Sequence, residues 1–100
     1  QTEGGALQSM SWTLKESVAF DQTRVLTRSW GDYPVLRFGE VPQVTVHVID
    51  RPEQPALGAG ESAQGPVAAA LGNALFNALG VRVRQLPLNQ DRILQALHAP

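Results

Sequence analysis

The pattern that most constrains this fold is a helix signal that begins at Pro66 and ends at Gly80. Proline suits the first turn of a helix, because its missing N–H would have no partner there, and glycine suits the residue that follows a helix. Between them, apolar residues recur at three- and four-residue steps: Val67, Ala70, Leu71, Ala74, Leu75, Ala78 and Leu79. Most of these side chains are small, so we expect another backbone segment to approach this helix closely.

Two further helices and a few strands are predicted around it. The same periodicity predicts a helix over residues 5–20, with an apolar face formed by Leu7, Met10, Leu14 and Val18. Asn89 is a suitable N-cap for a short last helix, with Asp91 in its first turn. Alternating apolar residues predict short strands over 24–27, 44–49 and 81–84. The order of elements predicts an α+β class: a small domain with two main helices, a short C-terminal helix and a few strands.

The strand predicted over 44–49 alternates most clearly. Its valines, Val44, Val46 and Val48, are expected to face the core. His47 then points the other way, and we interpret it as a surface histidine rather than a ligand or base.

Charge and cysteine content exclude several classes of function. Eight Lys and Arg residues against nine Asp and Glu residues leave a formal charge of -1, which argues against nucleic-acid or anionic-membrane partners. The absence of cysteine excludes disulfides, thiolate zinc sites and cysteine-bound iron-sulfur clusters within these residues. No apolar run reaches the roughly 18 residues of a membrane span. The first residue is Gln1 rather than Met, which suggests a processed product or an excised piece.

The candidate functional residue lies in a long connection rich in proline, glycine and polar residues, over 50–65. Loops of this length are uncommon in compact domains unless they are functional or linkers. Within it, Gly58-Ala59-Gly60-Glu61 places a carboxylate after two glycines, shortly before the strongest helix. Glu61 is either an acid presented at a fixed point or a solvated turn residue that favours the positive end of that helix.

Two other functions remain compatible with these residues. Glu61 together with Asp32 or Asp50 would form the paired carboxylates of a hydrolase, although no spacing fixes such a pair in space. Alternatively, the chain is a stand-alone protein-interaction module without catalysis. Its docking surface would be the small-residue helix and the aromatic residues of the loop over 29–41.

Three segments in succession carry a resemblance to a known family. They are GGALQSMSWTLKE, SWGDYPVLRFGEVPQVTVHVID and PALGAGESAQGPVAAALGNALFNALGVRVRQLPL. In this order they resemble the C-terminal end of the molybdenum-binding large subunit of the xanthine dehydrogenase and aldehyde oxidase family. The DYPVLRFGEVP and GVRVRQLPL pieces are especially similar to the branch formed by isoquinoline 1-oxidoreductase beta subunits.

The resemblance implies a function and a set of site residues. Members of that family hydroxylate an electron-poor carbon of an N-heterocycle or an aldehyde, with water as the oxygen source. The glutamate of the GxGE motif is their general base, and Glu61 occupies that position. Gln1 matches a glutamine that contacts the cofactor, and Gly58 and Gly60 would let the cofactor lie against the backbone. The implied cofactor is a molybdenum-pyranopterin, either molybdopterin cytosine dinucleotide or a similar form, with no direct metal ligand from this chain.

The resemblance also implies what surrounds the chain. Residues 1–100 would be the C-terminal part of the molybdopterin-binding domain, a fragment that holds no cofactor and is inactive alone. Its expected partners are the rest of the large subunit and an iron-sulfur electron-transfer subunit. The compartment stays open, because relatives occur in the cytoplasm and, when exported, in the periplasm.

Overall fold

A computed structural model describes residues 1–99 and contains three α-helices. They are α1 (Thr2–Leu14), α2 (Gln64–Leu79) and α3 (Gln90–His98), with a short 3-10 turn at Phe38–Glu40. Helices α1 and α2 pack against each other. None of the described helices is both long enough and apolar enough to cross a membrane.

The first helix differs from its prediction in both length and buried face. It ends at Leu14 rather than near residue 20, and Val18 is about half exposed. The buried residues of α1 are small: Gly5, Ser9, Ser11 and Thr13. The prediction that Leu7, Met10, Leu14 and Val18 form the buried face of α1 was therefore wrong. Small side chains on this face allow other segments of the chain to approach α1 closely. Larger residues such as Leu7 and Met10 remain only half-buried.

The second helix confirms the strongest sequence pattern. It begins two residues before Pro66 and ends before Gly80, which takes a left-handed φ of 73°. The Gly80 N–H donates to the Phe76 carbonyl at 2.7 Å, closing the last turn. No residue of α2 is buried among the described residues, and Phe76 and Leu79 are about 40% exposed. Its apolar stripe is therefore only partly covered by this chain.

The third helix forms for the predicted reason. The Asn89 side chain accepts a hydrogen bond from the Arg92 backbone N–H at 3.1 Å, and Asp91 lies in the first turn. The Arg92 guanidinium also donates to the Pro87 carbonyl at 3.0 Å, which ties the helix to the segment before it.

The predicted strands are not observed within residues 1–99. The segments 44–49 and 81–84 pair with no other described segment, and only an isolated antiparallel bridge joins Phe20 to Val25. The α+β class is therefore not confirmed, because the structure shows three helices joined by irregular segments. Alternation supplies the side-chain pattern of a strand, but the strand itself requires hydrogen bonds to a neighbouring one.

Helix α1 is the centre to which distant segments attach. The Leu88 N–H donates to the Thr13 carbonyl at 2.6 Å, and the Leu36 N–H donates to the Ser11 hydroxyl at 3.0 Å. Leu88, at 5% exposure, is the one large apolar side chain that residues 1–99 bury completely enough to count as core. The interior of this chain is therefore small, and polar contacts to α1 organise it.

Candidate functional site around Glu61

Glu61 lies in a turn that leads directly into α2. Its carbonyl accepts a hydrogen bond from the Gln64 N–H at 3.1 Å, and the Ser62 hydroxyl donates to the Ala59 carbonyl at 3.2 Å. The Glu61 side chain is exposed, and no side chain or N–H within residues 1–99 bonds to its carboxylate. The turn thus holds the backbone in place and leaves the carboxylate exposed.

Gln1 lies beside this turn, as expected if Gln1 and Glu61 belong to one site. A Cβ built on Gly60 would be 3.8 Å from the Gln1 side-chain nitrogen, so the amide lies close to the glycine that precedes Glu61. The Gln1 carbonyl accepts a hydrogen bond from the Gly5 N–H at 2.9 Å, which anchors this residue to the first turn of α1. The fold therefore brings together Gln1 and the Gly60-Glu61 pair.

The two glycines of the motif have different surroundings. No atom lies within 4 Å of the point where a Cβ on Gly58 would stand. Gly58 therefore lines open space, whereas Gly60 faces Gln1. An exposed carboxylate, an amide and an uncovered glycine backbone suit a large polar ligand that carries hydrogen-bonding groups. A molybdenum-pyranopterin fits this description.

Sequence reasoning missed the residues that hold this turn. The Ser9 hydroxyl donates to the Gln64 carbonyl at 2.7 Å, and the Gln64 side-chain amide donates to the Gln8 side-chain oxygen at 3.1 Å. A Cβ on Gly5 would stand 3.2 Å from the Gly60 carbonyl oxygen. The available signal was the spacing of Gly5 and Ser9, four residues apart on one face of α1.

Asp32, one of the two carboxylates that could pair with Glu61, has hydrogen-bond partners of its own. Asp32 accepts hydrogen bonds from the Arg28 N–H at 3.2 Å and from the Ser29 hydroxyl at 3.1 Å, so it stabilises its own turn. Within residues 1–99, no three His, Cys, Asp or Glu side chains come together in a way that could hold a metal ion.

Two groups near the end of α1, Glu40 and Tyr33, have pKa values that their hydrogen bonds shift. The hydrogen bond from Lys15 Nζ, at 2.5 Å, holds the pKa of Glu40 below its ordinary value, with help from the Arg37 backbone N–H. The hydrogen bond that Tyr33 donates to Glu16 raises the pKa of the tyrosine. These pairs connect the end of α1 to the 33–40 segment, which is a structural role.

Comparison with known proteins gives the same family from sequence and from structure. The chain is 44% identical over 97 residues to the B subunit of nicotinate dehydrogenase from Pseudomonas putida, covering 97% of this chain and 8% of that protein. It is 32% identical over 88 residues to the beta subunit of isoquinoline 1-oxidoreductase from Brevundimonas diminuta, covering 88% and 11%. It is 30% identical to PaoC, the molybdenum-binding subunit of an aldehyde oxidoreductase from Escherichia coli, covering 97% and 14%.

A solved structure matches the whole fold. Quinoline 2-oxidoreductase from Pseudomonas putida 86 superposes with a TM-score of 0.79 and 27% sequence identity, over 99% of this chain and 14% of that one. No family model matches the sequence. Across these relatives, the chain spans between 8% and 14% of the relative's length.

These matches define the chain as a part of a molybdenum oxidoreductase subunit. It belongs to the molybdenum-binding subunits of the xanthine dehydrogenase and aldehyde oxidase family, and the resemblance seen in the sequence is thereby confirmed.

Proposed function

We propose that residues 1–100 are the C-terminal part of the molybdopterin-binding domain of a molybdenum hydroxylase, with Glu61 as its general base. The observation that carries this proposal is the position of the Gln1 amide against Gly60, next to Glu61. Gln1 and Glu61, sixty positions apart in the chain, are thus both exposed next to Gly60. The family matches supply the chemistry that such a site serves.

The proposed reaction hydroxylates an electron-poor carbon of an N-heterocycle or an aldehyde. One oxygen atom comes from water, a C–H bond is broken and a C–O bond is formed, and two electrons and two protons leave. Three of the matched proteins are named for nicotinate, isoquinoline and quinoline, and a fourth for aldehydes. Their names favour a small planar heterocycle or an aldehyde as the substrate here.

Glu61 accepts one of these protons. Its carboxylate is exposed and bonds to no other described residue, so it is available to a bound substrate. The turn before α2 keeps its backbone in place, so little conformational freedom is lost when the base acts. A general base of this kind contributes about 10²- to 10⁴-fold to the rate.

The cofactor would be a molybdenum-pyranopterin, in the cytosine dinucleotide form or a similar one. When bound, it supplies the two-electron redox chemistry of the hydroxylation. The Gln1 amide would donate to its polar groups, and Gly58 and Gly60 would allow it to lie close to the backbone. We expect this chain alone to hold no cofactor and to be inactive.

The proposed partners follow from the same function. The rest of the large subunit would cover α1 and α2 and supply most of the cofactor site. An iron-sulfur subunit would receive the two electrons.

The test is Glu61→Gln in the full-length subunit that contains this chain, because the substitution keeps the side chain's size but removes its basicity. The rate at which substrate reduces the metal should fall by at least about 10²-fold, while metal and pterin contents stay near wild type. Glu53→Gln is the matched control, since Glu53 is an exposed loop glutamate paired only with Arg51 at 3.3 Å. Retention of more than about a tenth of the wild-type rate by Glu61→Gln would contradict the proposed base.

The alternative, a stand-alone interaction module, would dock a partner on the apolar side chains that this chain leaves exposed. Trp30, Phe38 and Leu57 are 82%, 101% and 90% exposed, so this chain does not cover its own large apolar side chains. The open reading frame decides between the two proposals. A long coding region upstream of Gln1 favours the hydroxylase, whereas a start codon next to Gln1 favours the module.

A further inference from the structure

We propose that Gly5 and Ser9 of α1 are positioning residues for Glu61, which they hold in place through the turn over residues 60–64. This inference rests on the proposed role of Glu61 as the base. It assigns a function to two residues of α1 that lie more than fifty positions away from the glutamate in sequence.

Gly5 allows α1 to approach the backbone on the N-terminal side of Glu61 closely. It is buried, and a Cβ at this position would stand 3.2 Å from the Gly60 carbonyl oxygen. A side chain there would have to move that carbonyl by a few tenths of an ångström. Because Gly60 directly precedes Glu61, a shift of its carbonyl is passed on to the glutamate.

Ser9 provides the hydrogen bond on the other side of Glu61. Its side chain is fully buried, and its hydroxyl donates to the Gln64 carbonyl at 2.7 Å. The neighbouring Gln8 accepts a further hydrogen bond from the Gln64 side chain at 3.1 Å. Glu61 is therefore bracketed by two contacts to one helix face, at the residue before it and at the third residue after it.

The same helix also places Gln1. The Gln1 carbonyl is bonded to the Gly5 N–H, and its amide lies close to Gly60. One rigid element thus sets both the proposed cofactor contact and the proposed base. A site held on a helix is placed more accurately than one held by a loop alone.

The chain contains its own control, because Gly4 is a second helical glycine next to Gly5. A Cβ on Gly4 would meet no atom within 4 Å. Both glycines lie at the start of α1, where alanine improves helix propensity in the same direction, by at most about 1 kcal/mol relative to glycine. The two substitutions therefore differ mainly in the contact with the Gly60 carbonyl.

The experiment compares Gly5→Ala, Gly4→Ala and Ser9→Ala in the full-length, cofactor-loaded enzyme. We expect Gly5→Ala to lower kcat by about 3- to 10-fold with little change in KM, because misplacement by about 1 Å can cost as much as about 10²-fold. Ser9→Ala should act in the same direction, and Gly4→Ala should match wild type. Metal and pterin contents should stay unchanged in all three.

Hydrogen exchange gives a readout that does not depend on turnover. Amides of the 58–64 segment should exchange faster in Gly5→Ala and Ser9→Ala than in Gly4→Ala. Equal kcat and equal exchange in Gly5→Ala and Gly4→Ala would overturn the inference. A parallel loss of kcat and cofactor content would overturn it too, since the helix would then act on cofactor retention.

A second pair of variants separates this inference from the proposed function. In the Glu61→Gln enzyme, adding Gly5→Ala should cause no further loss of rate, because the group that it misplaces is already gone. If the two losses multiply instead, Gly5 does not act through Glu61 and the inference fails. If Glu61→Gln is itself active, the proposed base fails, whereas the exchange comparison still tests the contact between α1 and the turn.

Discussion

This chain, when isolated from the rest of the large subunit, should expose a large apolar surface that promotes association. The excess over a self-contained domain follows from its accessible surface area. The accessible surface is 7954 Å², whereas a compact monomer of this length exposes about 5500 Å². The radius of gyration is 16.6 Å, against about 13 Å for a compact domain of about 100 residues. The chain therefore exposes about 2400 Å² more than a self-contained domain would.

The energy associated with this surface is large. If the usual half or more of the excess is apolar, its burial is worth about 30 kcal/mol before the costs of association. A typical domain is stable by only about 5–15 kcal/mol. An area of this size on one partner also matches obligate interfaces rather than transient ones. We therefore expect the isolated chain to self-associate or to bind hydrophobic dyes.

Sedimentation at several concentrations, together with dye binding, measures this directly. The double substitution Phe38→Ser with Leu57→Ser removes two of the most exposed large apolar side chains and should reduce dye binding. A concentration-independent monomer that binds no dye and has a radius of gyration near 13 Å would refute the reasoning, because such a chain would cover its own surface.

Two further predictions concern packing and pH. Val46→Asp should lower the free energy of unfolding by about 1–3 kcal/mol, because Val46 is half-buried and shares a surface depression with Glu3. His47→Ala, at an exposed position, should cost less than about 0.5 kcal/mol. Equal costs in urea melts would mean that Val46 is not packed, as Val48, at 87% exposure, already is not. The ion pair with Lys15 lowers the pKa of Glu40. The stabilisation that this pair gives the fold is therefore present above the ordinary pKa of the carboxyl group, and it is lost as the pH falls through the lowered pKa. Melting temperatures of wild type and Glu40→Gln should therefore converge on acidification, and a gap independent of pH would contradict this.

Features that depend on local chemistry could be predicted from the amino-acid sequence alone. Pro66 and Gly80 bounded the second helix closely, and Asn89 marked the start of the third, because caps act on their own backbone. The family was also readable from the order of its motifs. The GxGE segment singled out Glu61 as the candidate base, which stays a prediction until it is tested.

Features that require contact with a second segment of the chain became evident only from the folded structure. Periodicity pointed to the Leu7 and Met10 face of α1, but the fold buries Gly5 and Ser9, because close approach to the 60–64 turn favours small side chains. The alternating residues over 44–49 have the pattern of a strand, yet no described segment pairs with them. The proximity of Gln1 and Gly60 was implied by the family resemblance alone, since a periodic pattern specifies a helix face but not which segment packs on it.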